Sequence, residues 1–324
     1  MILAGDIGGT KTLLGLFESD RGRPASHAIN EFRTLDYAGL PAMIDEFITT
    51  QGPMPTIERA AFGVAGPVID QVAEMTNVPW RVDAAEIRTR FAFRHVRLLN
   101  DLESMAYSVP VLSAKELRQL QKGDAQTDGN IALIAAGTGL GVSFLHWVDN
   151  RYVPVPSEGG HSDFAARTDR EVEFLTFLRR RYGRAEIEYV LSGPGIVNLS
   201  DFTHDGGRCA VLVTHGDKPD LAAEVTRAAL AAECPCCAEA LEMFVSVYGA
   251  VAGNFALSAV SRAGVFIGGG IAPKILPALE RDTFLRAFND KPPMNALLEA
   301  MPVHVILNAD AGLLGAAVYA SRLA

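Results

Sequence analysis

The chain has 324 residues, 49% hydrophobic and 21% charged, with 29 basic against 38 acidic residues and a net charge of −9. This is globular composition at a length that suits two domains, each with a sizeable core. The acidic balance disfavours nucleic acid and anionic membranes as partners, while a single phosphate can still be held locally by backbone N–H groups and a metal ion.

The N-terminus, Met1-Ile2-Leu3-Ala4-Gly5-Asp6, meets an acid at once and has no basic stretch, so it does not read as a secretory signal. The longest apolar run, residues 131–145, is broken by Gly137, Gly139 and Gly141 and is too short to cross a bilayer. No membrane segment and a cytoplasmic location are therefore expected.

Residues 1–18 read as an apolar strand, a Gly-rich turn and a second apolar strand, which predicts a hairpin. No βα crossover precedes the second strand, which argues against a dinucleotide fold. Residues 41–49 carry Met43, Ile44, Phe47 and Ile48 at helical spacing. Residues 59–68 form a buried strand leading into a turn, and 95–99 a short strand that ends at Asn100-Asp101 ahead of a helix over 102–107. Ser113-Ala114-Lys115-Glu116 has the capping-box pattern and predicts a helix ending near Gly123.

Strand, turn and strand recur over 131–146, with Gly137-Thr138-Gly139 at the tip, which suggests two related half-molecules. Thr168-Asp169-Arg170-Glu171 opens a helix that Gly183 stops. A long apolar helix is expected over 245–260, where Gly249 and Gly253, four apart, predict close helix packing. A strand over 264–267 runs into Gly268-Gly269-Gly270, and a last strand over 303–307 precedes Asp310 and a small-residue helix. The expected division is residues 1–110 plus 301–324 in a smaller α/β domain and 111–300 in a larger one.

Three strand-end turns carry the candidate chemistry. At Gly5-Asp6-Ile7-Gly8-Gly9-Thr10-Lys11, a phosphate would meet the N–H groups of Gly8, Gly9 and Thr10 and the Thr10 hydroxyl, with Asp6 placed for hydrated Mg²⁺. The spacing is neither that of a Walker loop nor Gly-x-Gly-x-x-Gly. Gly137-Thr138-Gly139 offers a second anion cradle of the same construction, and Gly268-Gly269-Gly270 a place for adenine or ribose against backbone. Asp101, at a strand end, can accept a proton from a substrate hydroxyl; position alone favours the reading as a helix cap. Glu158 and His161, three apart across two glycines, suit vicinal sugar hydroxyls, and Glu188 and Asn77 are further polar candidates. Trp80 offers the kind of apolar face that sugar sites use.

Cysteines fall at Cys209, Cys234, Cys236 and Cys237. A second ligand pair at a recognisable spacing is missing, with only Cys209, His204 and His215 in reach, so reduced thiols rather than a structural zinc are expected.

Taken in order, Gly-Asp-Ile-Gly-Gly-Thr, Thr-Asn-x-x-Trp, Leu-Asn-Asp-Leu-Glu, Gly-Thr-Gly-Leu-Gly, Glu-Gly-Gly-His, Glu-x-Val-Leu-Ser-Gly-Pro-Gly and Gly-Gly-Gly-Ile resemble the bacterial glucokinase family over essentially the whole chain. The resemblance implies a two-domain actin-like ATPase (ribonuclease H-like) fold with an interdomain active-site cleft, ATP and Mg²⁺, and phosphorylation of D-glucose to glucose 6-phosphate. It implies Asp101 as general base, with Asn77, Asn100, Asp101, Glu158, His161 and Glu188 on the sugar. Gly5 to Thr10 and Gly137 to Gly139 would be the phosphate loops, and Gly268 to Gly270 would lie by adenosine. A homodimer is the assembly it suggests, and domain closure over the sugar would exclude water.

Lys11 stands where the family pattern has Asn. The related repressor/open-reading-frame/kinase group carries a cysteine-rich zinc motif soon after its Glu-x-Gly-His. Here no cysteine lies between His161 and Arg208, so that motif is not carried over. No helix-turn-helix segment stands ahead of the first strand, which weighs against a repressor. A kinase for mannose, fructose or an N-acetylated amino sugar, and a sugar sensor without catalysis, are the competing readings; a sensor has no need of Asp101.

Overall fold

The computed structural model describes all residues except 19–21, 54, 76–77, 208, 212–219 and 324. Contacts divide the chain into two units, Met1–Ser113 with Tyr152–Pro154 and Asn308–Ala324, and Ala114–Arg151 with Val155–Leu307.

In the first unit, strands β1 (Ile2–Ile7), β2 (Lys11–Phe17) and β3 (Ser26–Arg33) are followed by helix α1 (Leu40–Gln51). Then come β4 (Arg59–Val64), a small sheet of β5 (Val68–Ile69), β6 (Val72–Glu74) and β7 (Arg81–Asp83), helix α2 (Ala84–Phe91), β8 (His95–Asn100) and α3 (Asp101–Ser108). The main sheet has the order β3-β2-β1-β4-β8. β1 pairs antiparallel with β2 and parallel with β4, which brings Ile7, Val64 and Asn100 to one end of the sheet. α1 buries Leu40, Met43, Ile44 and Phe47, the i, i+3, i+4, i+7 stripe of a helix on a sheet.

The second unit holds β9 (Leu117–Gln121), β10 (Ile131–Ala136), β11 (Leu140–Val148), β12 (Arg151–Ser157), α4 (Asp169–Tyr182), α5 (Gly193–Thr203), α6 (Leu221–Leu230) and α7 (Pro235–Ala259). It continues through β13 (Gly264–Gly268), α8 (Leu276–Leu279), α9 (Asp282–Asn289), α10 (Asn295–Glu299) and β14 (Val303–Ile306). Its sheet runs β12-β11-β10-β13-β14-β9. β10 pairs antiparallel with β11 and parallel with β13, repeating the pairing of β1 with β2 and β4. Helix α11 (Ala311–Ser321) then returns the chain to the first unit.

Several elements depart from the sequence expectations. No helix follows Ser113. Residues 114–116 form one tight 3-10 turn, and β9 takes the edge of the sheet beside β14. The local signal covers a single turn, and a partner strand with unpaired backbone groups outweighs it. β14 is bonded to β13 and β9, so residues 301–307 lie in the second unit. The apolar helix begins ten residues earlier than its periodicity suggested, at Pro235. At 25 residues α7 is long and apolar enough to span a bilayer, yet most of it is buried within the second unit. Gly249 and Gly253 explain why: a Cβ at these positions would sit 2.1 and 2.6 Å from the carbonyl oxygens of Phe284 and Phe288 on α9.

Candidate functional site

Asn100 and Asp101 divide the work at the start of α3. The Asn100 side chain accepts from the N–H groups of Leu102 (2.9 Å) and Glu103 (3.4 Å) and donates to the Gly66 carbonyl (3.2 Å). Asn100 is therefore the cap, and Asp101 is the first residue of the helix, exposed, with Oδ1 accepting from its neighbour Leu102 N–H at 2.8 Å. Position alone assigned the cap to Asp101; the amide one residue earlier fills that role.

α3 is clamped to α11. The Ser104 hydroxyl donates to the Gly312 carbonyl at 2.8 Å, and a Cβ on Gly315 would fall 1.7 Å from the Ser104 carbonyl oxygen. A Cβ on Gly312 would sit 2.6 Å from the Asp6 carboxylate. Ser104, Gly312 and Gly315 carry no local signal in the sequence beyond the small residues of a C-terminal helix.

Asp6, one residue from the end of β1, is raised from the ordinary 3.8 to about 6. Burial is the largest cause, followed by the negative charge of Asp101; Lys11 opposes both, and Asp310 adds to them. Three carboxylates thus share one region of the first unit. Excess negative charge around a desolvated carboxylate is the setting that a divalent cation stabilises.

The turn after β1 differs in detail from the cradle expected of it. The Gly8 N–H donates to the Lys11 carbonyl at 3.0 Å, closing the hairpin, so this donor is committed to the fold rather than to a phosphate. The Gly8 carbonyl accepts from the Thr34 hydroxyl (2.8 Å), and Thr34 N–H donates to Thr10 O (3.0 Å), which pins the turn to the end of β3. Thr10 is exposed at the tip beside Gly9. Lys11 pairs with Glu31 at 2.7 Å in solvent. Trp80 is 5% exposed and belongs to the core of the first unit, so it offers no sugar-facing surface. Asn77 lies outside the described residues.

The second unit assembles the other candidates. His161 Nδ1 lies 3.3 Å from Glu186 and its Nε2 4.0 Å from Glu158. Glu186 is buried and also meets Arg184; it was not anticipated, since its only sequence signal is its place two residues before Glu188. Glu188 accepts the Leu140 N–H at 2.8 Å, and a Cβ on Gly139 would lie 2.5 Å from its carboxylate. The Gly137-Thr138-Gly139 turn is therefore tied directly to the acid–imidazole group. Gly137 N–H donates to Gly139 O, and Gly137 O accepts from Gly193 N–H, both at 2.8 Å.

Behind this turn opens a cavity of about 940 Å³, lined among others by Gly137, Thr138, Gly193, Arg227, Gly270 and Lys274. Gly268 ends β13, and Ile271 N–H donates to the last carbonyl of β10, at Ala136 (3.3 Å), which holds Gly270 at the rim. The volume and the mixture of apolar wall, backbone turns and cationic side chains suit a nucleoside phosphate.

Paired α/β units, each built on a hairpin with Gly and Thr at its tip and a parallel strand beside it, define the class: a phosphotransferase of the actin-like ATPase fold. The structure superposes on that of a glucokinase from an Antarctic psychrotroph with a TM-score of 0.87, at 29% identity and 99% coverage of both chains. The fold extends to a ROK family glucokinase from Streptomyces griseus, solved with glucose and AMPPNP (TM-score 0.67, 21% identity, 99% of each chain). A glucokinase of Trichormus variabilis is 37% identical over 340 residues, covering 100% of this chain and 99% of that one. The chain belongs to the glucokinase family, whose model matches residues 3–323.

Proposed function

We infer that this protein phosphorylates D-glucose from ATP, giving glucose 6-phosphate and ADP. The observation that carries the reading is the exposed Asp101 carboxylate at the first position of α3, whose cap residue is Asn100, in a chain that matches the glucokinase family over its length. A protein that only senses sugar has no use for a base there.

In this reading Asp101 takes the proton of the sugar 6-hydroxyl as its oxygen attacks the γ-phosphorus, and ADP leaves with the bond to the transferred phosphoryl group. Asn100 aims the carboxylate by fixing the first turn of α3. Glu158, His161 and Glu188 hold the sugar hydroxyls, with Glu186 setting the imidazole ring and Leu140 N–H setting the Glu188 carboxylate. Asn77 belongs to the same set by resemblance. The turns at Gly5–Thr10 and Gly137–Gly139 serve the phosphates, with Gly9, Thr10 and Thr138 in place of the committed Gly8 donor. The cavity at Gly270 takes the adenosine.

The carboxylates around Asp6 fit Mg²⁺: Asp6 would hold the hydrated ion, and the charges of Asp101 and Asp310 would add to the field that favours it. When bound, Mg²⁺ supplies neutralisation of the phosphate charge. A homodimer in the cytoplasm completes the proposal; it rests on the family resemblance, and on the long apolar helix α7 being packed inside its unit.

A coupled ADP-release assay across glucose, mannose, fructose and N-acetylglucosamine tests the substrate. Glucose should give the highest kcat/KM. Turnover confined to another sugar, or ADP release independent of any sugar, would overturn the reading.

A further inference from the structure

Four side chains that the phosphotransfer site does not use meet at one point in the second unit. His204 lies just past the end of α5, Cys209 follows it, and Cys234 and Cys237 open α7. Their ligand atoms all lie within 4.8 Å of one another. Cys209 Sγ is 3.6 Å from Cys234 Sγ and 3.7 Å from Cys237 Sγ, and Cys234 Sγ is 3.3 Å from His204 Nε2.

These separations discriminate between chemistries. A disulfide needs its sulfurs at about 2.05 Å, and all four cysteines are free thiols. Around a tetrahedral zinc, with metal–sulfur bonds of about 2.3 Å, sulfurs stand about 3.8 Å apart. We propose that His204, Cys209, Cys234 and Cys237 form a structural Cys₃His site for one zinc ion, joining the end of α5 to the start of α7.

Independent features support the site. His204 Nδ1 sits 2.7 Å from the Ser200 carbonyl, and only a protonated Nδ1 makes that bond. This fixes the tautomer in which Nε2, the atom facing Cys234, carries its lone pair to a metal. Cys234 is the N-cap residue of the 25-residue α7 and Cys237 lies in its first turn, so one helix start presents both sulfurs to Cys209 and His204. The donor set is complete for a closed tetrahedral site, with no position left for water or substrate. Cys236, on the turn between Cys234 and Cys237, lies outside the group; its carbonyl instead accepts the Thr203 hydroxyl at 2.9 Å, a second tie between the same two helices.

The spacing explains why the sequence did not show it. Cys234 and Cys237 form an ordinary Cys-x₂-Cys pair, but its partners are a His and a Cys five apart and 25 residues upstream, a pairing without a standard pattern. His215 lies outside the described residues. The site also differs from the cysteine-rich motif of the repressor/open-reading-frame/kinase group, which follows the Glu-x-Gly-His segment directly. Binding displaces the three thiol protons to solvent and leaves three thiolates, one neutral imidazole and Zn²⁺, a net charge of −1 beside the positive end of α7.

The test is the metal content of the full chain, purified without chelators or a polyhistidine tag and measured by plasma mass spectrometry. One zinc per chain is expected, released by a mercurial thiol reagent, with Cys234→Ser and Cys237→Ser each losing it and Cys236→Ser keeping it. Should the serine variants fail to fold, cobalt substitution of the wild-type chain reads the same site. Thiolate-to-cobalt charge transfer and the strong visible bands of a tetrahedral S₃N set are then expected. Less than a tenth of an equivalent of zinc from zinc-supplemented cells would overturn the proposal. So would an octahedral cobalt spectrum, or two of the four thiols lost to a disulfide on titration of the denatured chain.

Discussion

Asp101 and Asp6 show how neighbouring carboxylates acquire different work. Asp101 is exposed at the first position of α3, next to an amide that caps the helix in its stead. Asp101→Asn keeps the size and the helix start and removes the base. Its kcat should fall by about 10²–10⁴-fold, with glucose affinity by calorimetry changed only a few-fold; near-normal turnover would remove Asp101 from the chemistry. Asp6 is the opposite case. Its folded pKa lies above its ordinary value, so between about pH 4 and 6 the folded state binds more protons than the unfolded chain. Stability contributed by the neutral carboxyl is therefore present below that window and is lost as pH rises through 6. At neutral pH the ionised group costs up to ~3 kcal/mol. Asp6→Asn should thus raise the urea midpoint near pH 8 and leave it little changed near pH 4, while lowering activity. A gain that is the same at both pH values would show that ionisation is not the cause.

At the scale of elements, the site depends on close approaches that only small residues allow. A Cβ on Gly139 would meet the Glu188 carboxylate at 2.5 Å. Gly139→Ala should therefore displace Glu188 and raise KM for glucose by about tenfold or more, ~1.4 kcal/mol, with a smaller change in kcat. A KM that moves for ATP alone would separate the turn from the sugar group. Gly315→Ala brings a methyl within 1.7 Å of the Ser104 carbonyl, where α3 and α11 touch. Overpacking of that degree costs about 3 kcal/mol, and because α3 carries Asp101 the surviving folded protein should also turn over more slowly. Thermal melts and initial rates check both. The helix expected after Ser113 failed for a related reason: four residues of capping pattern hold little energy beside a row of backbone hydrogen bonds offered by β14.

At the scale of the whole molecule, each unit has its own core. The second unit packs the aromatic residues Phe174, Phe244, Tyr248, Phe284 and Phe288 about α7. The first unit is finished only by the last segment of the chain, since Leu313, Ala316, Ala317 and Ala320 of α11 cover Ile2, Ala4, Leu13, Phe17 and Ala61. A chain ended after Leu307 should expose that face and lose the first unit to proteolysis while a fragment near residues 114–307 survives. Digestion of both units at the same rate would show that the second cannot stand without the first.

Much of this was legible in the residues. The two hairpins, the strands at 59–64, 95–100 and 264–268, the helix closed by Thr168 and Gly183, and the order of the motifs all follow from periodicity and turn chemistry, which act over a few neighbouring residues. The family and its reaction followed from that order. What only the tertiary structure decided lies in contacts between residues far apart in the chain. Gly8 spends its donor on the hairpin, Trp80 is core, Glu186 holds His161, and α11 seats Asp6 and α3. His204 and Cys209 meet a pair of cysteines 25 residues on. Local signals cannot report these, because their energy comes from burial and close approach, which exist only once the chain has brought the partners together.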